Sequence, residues 1–190
     1  MSILTYRRIL RRKRNSVIVT KLSLVAGFIL SAGCSLAAPE YRATAELKDK
    51  DGKIVGQAFF RERSDGVLMR MDVKGLTPGL HAVHVHSIGK CEGPAFTTAA
   101  GHFNPAGKKH GLNSPAGPHA GDLPNMLVAK DGSGRFEVRT DAITLKTGAA
   151  SVFDSDGSAL IIHAGVDDYA TDPTGNAGDR AACGLIVSTN

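Results

Sequence analysis

The chain has 190 residues, enough for one ordinary domain with a hydrophobic core. It has no Trp and 22 Gly, which fits a small all-β domain with many turns better than a helical one. The net charge of +5 comes from residues 1–34, which hold seven basic residues and no acid; without them, 16 Lys and Arg face 18 Asp and Glu. We therefore expect no basic face for nucleic acid on the folded domain.

The first 38 residues have the organisation of a secretory signal. Basic residues within 6–21 precede an apolar run at 22–33, and small residues follow through Ala37 and Ala38, after either of which cleavage is expected. Cys34 follows Ser-Ala-Gly, which leaves a lipid-anchored form open, and a longer apolar run leaves an uncleaved anchor open. The pattern predicts export to an oxidising compartment, with residues 39–190 as the single folded domain.

From residue 41 onward, apolar and polar side chains alternate as they do in β-strands. Val67, Met69, Met71 and Val73 alternate in this way and are predicted to share one buried face. Asp-Gly dipeptides at 51–52, 65–66 and 131–132 mark hairpin turns. We predict an all-β, antiparallel, eight-stranded barrel or sandwich with strands near 41–48, 53–62, 66–74, 80–87, 125–130, 134–140, 158–164 and 183–188.

Two long segments interrupt the alternation. Residues 88–124 are rich in Gly, Pro, Ala, Asn and His, and residues 165–182 are rich in Asp, Gly, Thr and Asn. Loops of this length inside a compact domain are either disordered or functional. Their chemistry favours function, because the first of them carries a cluster of potential metal ligands.

The histidine pattern indicates metal binding. His84 and His86 leave one face of the predicted strand 80–87, while Val83 and Val85 face the core. A lone His-x-His pair is more often structural than metal-binding, but the following loop adds three histidines and a carboxylate, a set that suits zinc. These four residues are His102, His110, His119 and Asp122.

Two further histidines have different expected roles. His163 ends the predicted strand Ala159–His163, on the face opposite Leu160 and Ile162, where it would complete an all-imidazole site with the His-x-His pair. Such a site suits copper, and without a thiolate it argues against a blue-copper electron carrier. His81 has the parity of the core residues, so we expect it to be structural and bonded to backbone.

Cys91 and Cys183 are the two cysteines beyond the predicted signal. An even pair in an exported chain predicts a disulfide. It would close a loop of about ninety residues and contribute about 4–5 kcal/mol in the chain-entropy model.

Five segments, in order, resemble the signature segments of the copper/zinc superoxide dismutase family: GLHAVHVHSIGKC, AGHFNPAGKKHG, PHAGDLPN, ALIIHAGVDDY and GNAGDRAACG. The resemblance extends from residue 43 to the C-terminus. It implies a Greek-key β fold, dismutation of the superoxide anion, one copper and one zinc per subunit, and a periplasmic location.

The resemblance also implies roles for individual residues. Copper is expected on His84, His86, His102 and His163, and zinc on His102, His110, His119 and Asp122. His102 would bridge the two metals and carry a proton during turnover. Asp167 would link a copper histidine to a zinc histidine. Arg180 would lie at the entrance to the copper site. A homodimer and a membrane tether through the N-terminus stay open. The segment between His163 and Arg180 is shorter than in eukaryotic members and lacks their lysine-rich pattern, so the charges that steer the substrate are not assigned.

Two kinds of protein are alternatives to an enzyme. A non-catalytic copper-binding or copper-carrier module would bind the metals without turnover. An adhesive or structural β-sandwich would bind no metal and would leave the histidine spacing unexplained. The presence of all four copper candidates together with Arg180 favours the enzyme.

Overall fold

The structure, a computed structural model, describes residues 40–190. The predicted signal at 1–38, including Cys34, lies outside the described residues. Within residues 40–190 no helix is long and apolar enough to cross a membrane. The helical structure in this range is a single 3₁₀ turn, Thr97–Ala99.

The described chain folds into one antiparallel β-structure of ten strands. They are β1 (Arg42–Asp49), β2 (Ile54–Arg63), β3 (Gly66–Val73), β4 (Gly79–His81), β5 (Val83–His86), β6 (Met126–Val128), β7 (Gly134–Thr140), β8 (Ala159–His163), β9 (Arg180–Leu185) and β10 (Val187–Ser188). Their order in the sheet is β4-β6-β7-β3-β2-β1-β9-β8-β5, with β10 beside β1. The connection from β3 to β4 passes the β6–β7 pair, as a Greek key requires.

The sheet curls into a nearly closed barrel because its two ends are consecutive in the chain. β4 pairs with β6, and β5 pairs with β8. Ala82 stands between them, donates its N–H to Gly165 O and accepts a hydrogen bond from His163 N. The predicted all-β antiparallel fold is confirmed, but the single strand predicted at 80–87 is two strands, since hydrogen bonding changes partners at Ala82.

The last predicted strand is also divided. Strand β9 begins at residue 180, three residues before the predicted start at 183, and pairs with both β1 and β8. Ile186 then donates its N–H to Ser158 O, and β10 pairs with the other end of β1. The chain bends at Ile186, so that the residues before it pair with β8 and one end of β1 and the residues after it pair with the other end of β1.

The interior of the barrel holds the main hydrophobic core. Alternate residues of β3 point inward, and Val67, Met69, Met71 and Val73 are all buried there, as predicted. Val83, Val85, Leu160 and Ile162 join them from β5 and β8. Full burial of a side chain of this size is worth about 1.5–3 kcal/mol, so the core fixes which face of β5 and β8 is left for other chemistry.

A disulfide between Cys91 and Cys183 joins the long loop after β5 to β9, with Cα atoms 5.6 Å apart. The predicted disulfide is therefore confirmed. Beside it lies a second small apolar cluster that is separate from the main core, made of Phe96, Ala99, Ala159, Ile161 and Cys183. Together they hold the start of the loop against β8 and β9.

Candidate metal centre

Strand β5 is the platform of the site. The loop residues Gly121 and Phe103 hydrogen-bond to the main chain of Val85, which brings Asp122 opposite His84 and His102 opposite His86. A Cβ at Gly121 would clash sterically with Val85 O, so only glycine allows the loop to approach this closely. The loop thereby covers the edge of β5 and delivers its ligands beside the two strand histidines.

Strand β8 brings His163 to the same face. The register between β8 and β9 shifts between Ile162 and His163, and His163 then stands opposite Arg180. Such a bulge redirects a side chain at the end of a strand. The His163 ring consequently lies 4.9 Å from the His84 ring, measured between centroids.

Four buried imidazoles converge at this point. One ring nitrogen of each lies within 4.8 Å of those of the other three. Each ring also has one buried nitrogen without a hydrogen-bond partner: His84 Nδ1, His86 Nε2, His102 Nε2 and His163 Nε2. A buried polar atom without a hydrogen-bond partner destabilises the fold by roughly 1–3 kcal/mol, and four such atoms are found together here. A metal ion shared by these nitrogens would satisfy all four, and neutral imidazoles without thiolate suit copper.

The opposite nitrogens of three of these rings are anchored. His84 donates from Nε2 to Asp167 Oδ2 at 2.7 Å, His86 from Nδ1 to Ala100 O at 2.9 Å, and His163 from Nδ1 to Gly178 O at 3.1 Å. Each of these bonds places the proton on the anchored nitrogen and leaves the lone pair on the inward one. The rings are therefore oriented as ligands by oxygen atoms of the protein.

The same burial keeps these rings neutral. It lowers the pKa of His84 to about 4, of His86 to about 2 and of His163 to about 3. The nearby rings add to the effect, since His102 opposes a positive charge on His86 and His84 opposes one on His163. Lone pairs are consequently available for a metal at any ordinary pH.

A second cluster lies on the other side of His102. Asp122 Oδ1 is 2.9 Å from His102 Nδ1, 3.1 Å from His110 Nδ1 and 3.4 Å from His119 Nδ1, and the Nδ1 atoms of His119 and His102 are also 3.4 Å apart. Four ligands placed 2.0–2.1 Å from a tetrahedral zinc ion are about 3.3 Å from one another. The cluster therefore has the donor set and the spacing of a zinc site.

Two sets of four residues compete for this second site. Ligand atoms of His84, His102, His110 and Asp122 also lie within 4.8 Å of one another. However, His84 Nε2 is engaged by Asp167, and the free nitrogen of His84 belongs with the first cluster. His119 is therefore the better fourth donor, and its role as a zinc ligand stays a prediction that this geometry supports.

The carboxylate of Asp122 is ionised in this setting. Burial opposes the charge, but the hydrogen bonds from the His102 ring and from Gly111 N outweigh burial and lower the pKa of Asp122. His119 N also donates to the same carboxylate. Asp122 therefore carries a full negative charge next to the three imidazoles.

Asp167 connects the two clusters. Its Oδ2 accepts from His84 and its Oδ1 accepts from His110 Nε2 at 3.0 Å. Burial acts against its ionisation, but the bonds from His84 and His110 outweigh it and lower the pKa of Asp167. One carboxylate thus fixes a ring of each set, which is the geometry that the predicted linking role of Asp167 requires.

Residues that the sequence analysis missed hold Asp167 in position. The side-chain amide of Asn125 makes two hydrogen bonds to the main chain of Asp167, each 2.9 Å long. Its Oδ1 accepts from Asp167 N, and its Nδ2 donates to Asp167 O. The hydroxyl of Tyr169 accepts from Asn125 N. A Cβ at Gly175, where φ is 64°, would collide with the Asp167 carboxylate and the His110 ring. These contacts link distant segments and have no local signature in the sequence.

Arg180 lies beside the four-imidazole cluster. Its Nη1 donates to Phe96 O and its Nη2 to Ala100 O, each at 2.5 Å. Arg180 stands opposite His163 in the sheet and shares the carbonyl of Ala100 with His86. Its positive charge also helps to lower the pKa of both rings. The remaining N–H groups of the planar fork suit an anion.

His81 is structural, as predicted. It is buried, and its Nδ1 lies 2.6 Å from His163 O and its Nε2 2.7 Å from Thr77 O. It therefore supports the backbone of His163 from the core side and belongs to neither cluster.

Comparisons with known proteins agree with this geometry. The family model described as copper/zinc superoxide dismutase matches residues 54–186. The chain is 47% identical over 169 residues to Cu-Zn superoxide dismutase 2 of Aquifex aeolicus, which covers 87% of this chain and 98% of the relative. It is 43% identical over 147 residues to the Cu-Zn superoxide dismutase of Caulobacter vibrioides, covering 76% and 84%. A crystal structure of a SOD-like protein from Bacillus subtilis is similar with a TM-score of 0.73 and 39% identity, covering 76% of this chain and 97% of that one.

Replacing Asp167 by Asn should weaken metal binding. An amide offers one acceptor oxygen, so it cannot accept from the rings of both His84 and His110, and its NH₂ group faces a donor. We expect the affinity for zinc and for copper to fall by about 10–100-fold, measured by competition with a chelator. Asp168→Asn is the matched control, because Asp168 bonds to Thr171 and Asn176; equal losses in both variants would contradict the linking role.

The metal-free protein should lose stability as the pH falls below about 6.5. The unfolded chain binds protons at His84, His86 and His163 with ordinary pKa values near 6.5, whereas the folded chain resists them down to about 4, 2 and 3. The stability from the neutral folded rings is thus complete above pH 6.5 and is lost toward the folded pKa values, at up to about 1.4 kcal/mol per pH unit for each ring. Urea unfolding between pH 7.5 and 5 measures this; a flat free energy of unfolding over that range would contradict it.

Proposed function

The chain belongs to the copper/zinc superoxide dismutase family, and from that premise and the geometry above we propose that it dismutes superoxide. Two superoxide anions and two protons give one dioxygen and one hydrogen peroxide. The observation that carries the proposal is the set of four buried imidazole nitrogens that lack a partner, on four rings whose ligand atoms lie within 4.8 Å of one another. In an adhesive or purely structural domain these unpartnered nitrogens would destabilise the fold and serve no purpose.

The metals are assigned to the two clusters. Copper would be held by His84, His86, His102 and His163, and zinc by His102, His110, His119 and Asp122. Bound copper would supply one-electron redox chemistry, which takes an electron from one superoxide and gives it to the next, while zinc would supply a fixed positive charge on the far side of His102.

Arg180 binds and orients the substrate. Two of its N–H groups donate to the carbonyls of Phe96 and Ala100, which fixes the orientation of the guanidinium. Its remaining N–H groups are then free to bind an incoming anion. The positive charge also raises the rate at which anions reach the cleft. Arg180 is therefore proposed as a catalytic residue that touches superoxide.

His102 holds and transfers a proton. Its Nδ1 is directed to the Asp122 cluster and its Nε2 to the other three imidazoles. Nε2 is buried but adjoins the place where the substrate anion would bind, so it is the atom at which the chain can take up one proton and give it to the reduced oxygen species. The carboxylate of Asp122 adjusts the affinity of this ring for that proton, and zinc, if bound by the second cluster, would supply a further positive charge.

The N-terminal 38 residues are proposed to direct export to the periplasm, with residues 39–190 as the mature domain. The support is the arrangement of basic, apolar and small residues, together with the disulfide, which suits an oxidising compartment. A soluble form cleaved after Ala37 or Ala38 and a form lipid-anchored at Cys34 differ in the mass of the mature N-terminus. The homodimer and the membrane tether stay predictions of the sequence.

Metal reconstitution tests the proposed activity. Metal-free protein loaded with zinc alone should not dismute superoxide. Protein loaded with copper and zinc should do so with a kcat/KM close to the diffusion limit. Superoxide decay after pulse generation measures both, and metal content is determined on the same samples. Full occupancy by both metals without turnover would overturn the proposal in favour of the non-catalytic copper-binding or copper-carrier module.

Arg180→Ala should reduce kcat/KM for superoxide by at least about tenfold at low ionic strength and should flatten its salt dependence, because the local positive charge is lost. The control is Arg135→Ala, since Arg135 is exposed on β7 and paired with Asp72. Unchanged activity in Arg180→Ala, or an equal loss in Arg135→Ala, would remove the substrate-binding role.

A further inference from the structure

One carbonyl oxygen connects Arg180 to a metal-binding ring. Ala100 O accepts a hydrogen bond from Arg180 Nη2 at 2.5 Å and another from His86 Nδ1 at 2.9 Å. The His86 bond is the one that anchors this ring and leaves its Nε2 directed inward. The direction of His86 therefore depends on where a loop carbonyl stands, and Arg180 holds that carbonyl.

The loop backbone shows that the carbonyl needs to be held. Ala100 has φ 59° and ψ −145°, and Phe96, which carries the other carbonyl bonded to Arg180, has φ 54°. Both conformations are uncommon for residues with a Cβ and persist only where the surroundings enforce them. These two residues flank the 3₁₀ turn Thr97–Ala99, so the guanidinium clamps both ends of one turn.

Within residues 40–190, the other hydrogen bonds of this segment, including those from Ala100 N to Thr97 O and from Ser87 N to Gly101 O, do not involve the Ala100 carbonyl. Phe96 and Ala99 pack in the small cluster against Ile161 and Cys183, and Ile88 N donates to Ala99 O at 3.3 Å. These contacts fix the side chains and the middle of the turn. In the described part of the chain, the hydrogen bonds to the Phe96 carbonyl come from Ala99 N, which closes the turn, and from Arg180.

We propose that Arg180 is a positioning residue for His86, acting through the shared carbonyl of Ala100, in addition to its role toward the substrate. Loss of the fork frees the Ala100 carbonyl to rotate. The His86 ring then loses its fixed acceptor, and its Nε2 no longer points at the common centre. The inference rests on the proposed function only in taking His86 as a metal ligand; the hydrogen bond is observable without metal or substrate.

The test compares Arg180→Lys and Arg180→Ala with the unaltered metal-free protein by ¹H–¹⁵N NMR of the histidine rings. A lysine keeps the positive charge, but its ammonium lacks the planar fork that bonds two carbonyls at once. We expect exchange of the His86 Nδ1 proton with water to accelerate at least tenfold in both variants. The His163 Nδ1 proton, which is bonded to Gly178 O, should be unaffected, and the backbone amide spectrum reports that the barrel is folded.

A second measurement uses the copper- and zinc-loaded protein. The electron paramagnetic resonance spectrum of Cu(II) should change in Arg180→Lys, because one of the four nitrogens is displaced, whereas Arg135→Ala should give the spectrum of the unaltered protein. If the His86 proton and the spectrum are both unchanged in Arg180→Lys and Arg180→Ala, the positioning role is wrong, whatever happens to activity. If the unaltered, fully loaded protein has no activity but the His86 proton responds as expected, the proposed function fails and the positioning role stands.

Discussion

The constraint on which the structure depends is that four imidazole nitrogens are buried together without hydrogen-bond partners. Left to themselves, these rings would turn toward protein oxygens or water and lose their common direction. They are prevented from doing so because three of the four donate from the opposite nitrogen to Asp167, Ala100 and Gly178. Two of these oxygens are held by loop structure: Ala100 ends the 3₁₀ turn, and the Asn125 amide bonds to the main chain of Asp167.

The two clusters share parts and cannot be adjusted separately. His102 contributes one ring nitrogen to each, and Asp167 contributes one oxygen to a ring of each. A displacement in one set is therefore transmitted to the other through rigid groups rather than through flexible side chains. The loop from β5 to β6 follows the edge of β5 closely, and this contact positions residues of both sets relative to the same strand.

Charge acts locally in this protein. Outside the basic residues of 1–34 the chain carries 16 basic and 18 acidic groups, so its overall charge does not attract an anion. A positive group that could attract an anion must therefore lie near the imidazoles, and Arg180 is one such group that is fixed beside them. The two roles proposed for Arg180, binding of the anion and positioning of His86, both depend on its fixation by these two carbonyls.

The sequence by itself determined the all-β class, the strand faces and the residue types of the site. Alternation is a local property of the chain, so the opposite directions of His84 and Val85 could be predicted from their positions alone. Ordered motifs supplied the family and with it the candidate ligands, whose assignment to each metal stays a prediction that the geometry supports.

Only the tertiary structure decided the change of partner at Ala82, the ring nitrogen that each histidine leaves free, and the roles of Asn125, Gly175 and the Ala100 carbonyl. The reason is physical: those features depend on hydrogen bonds between distant segments, such as the one from His84 to Asp167, 83 positions along the chain. Periodicity contains no information about which oxygen a ring will meet after the chain has folded back on itself.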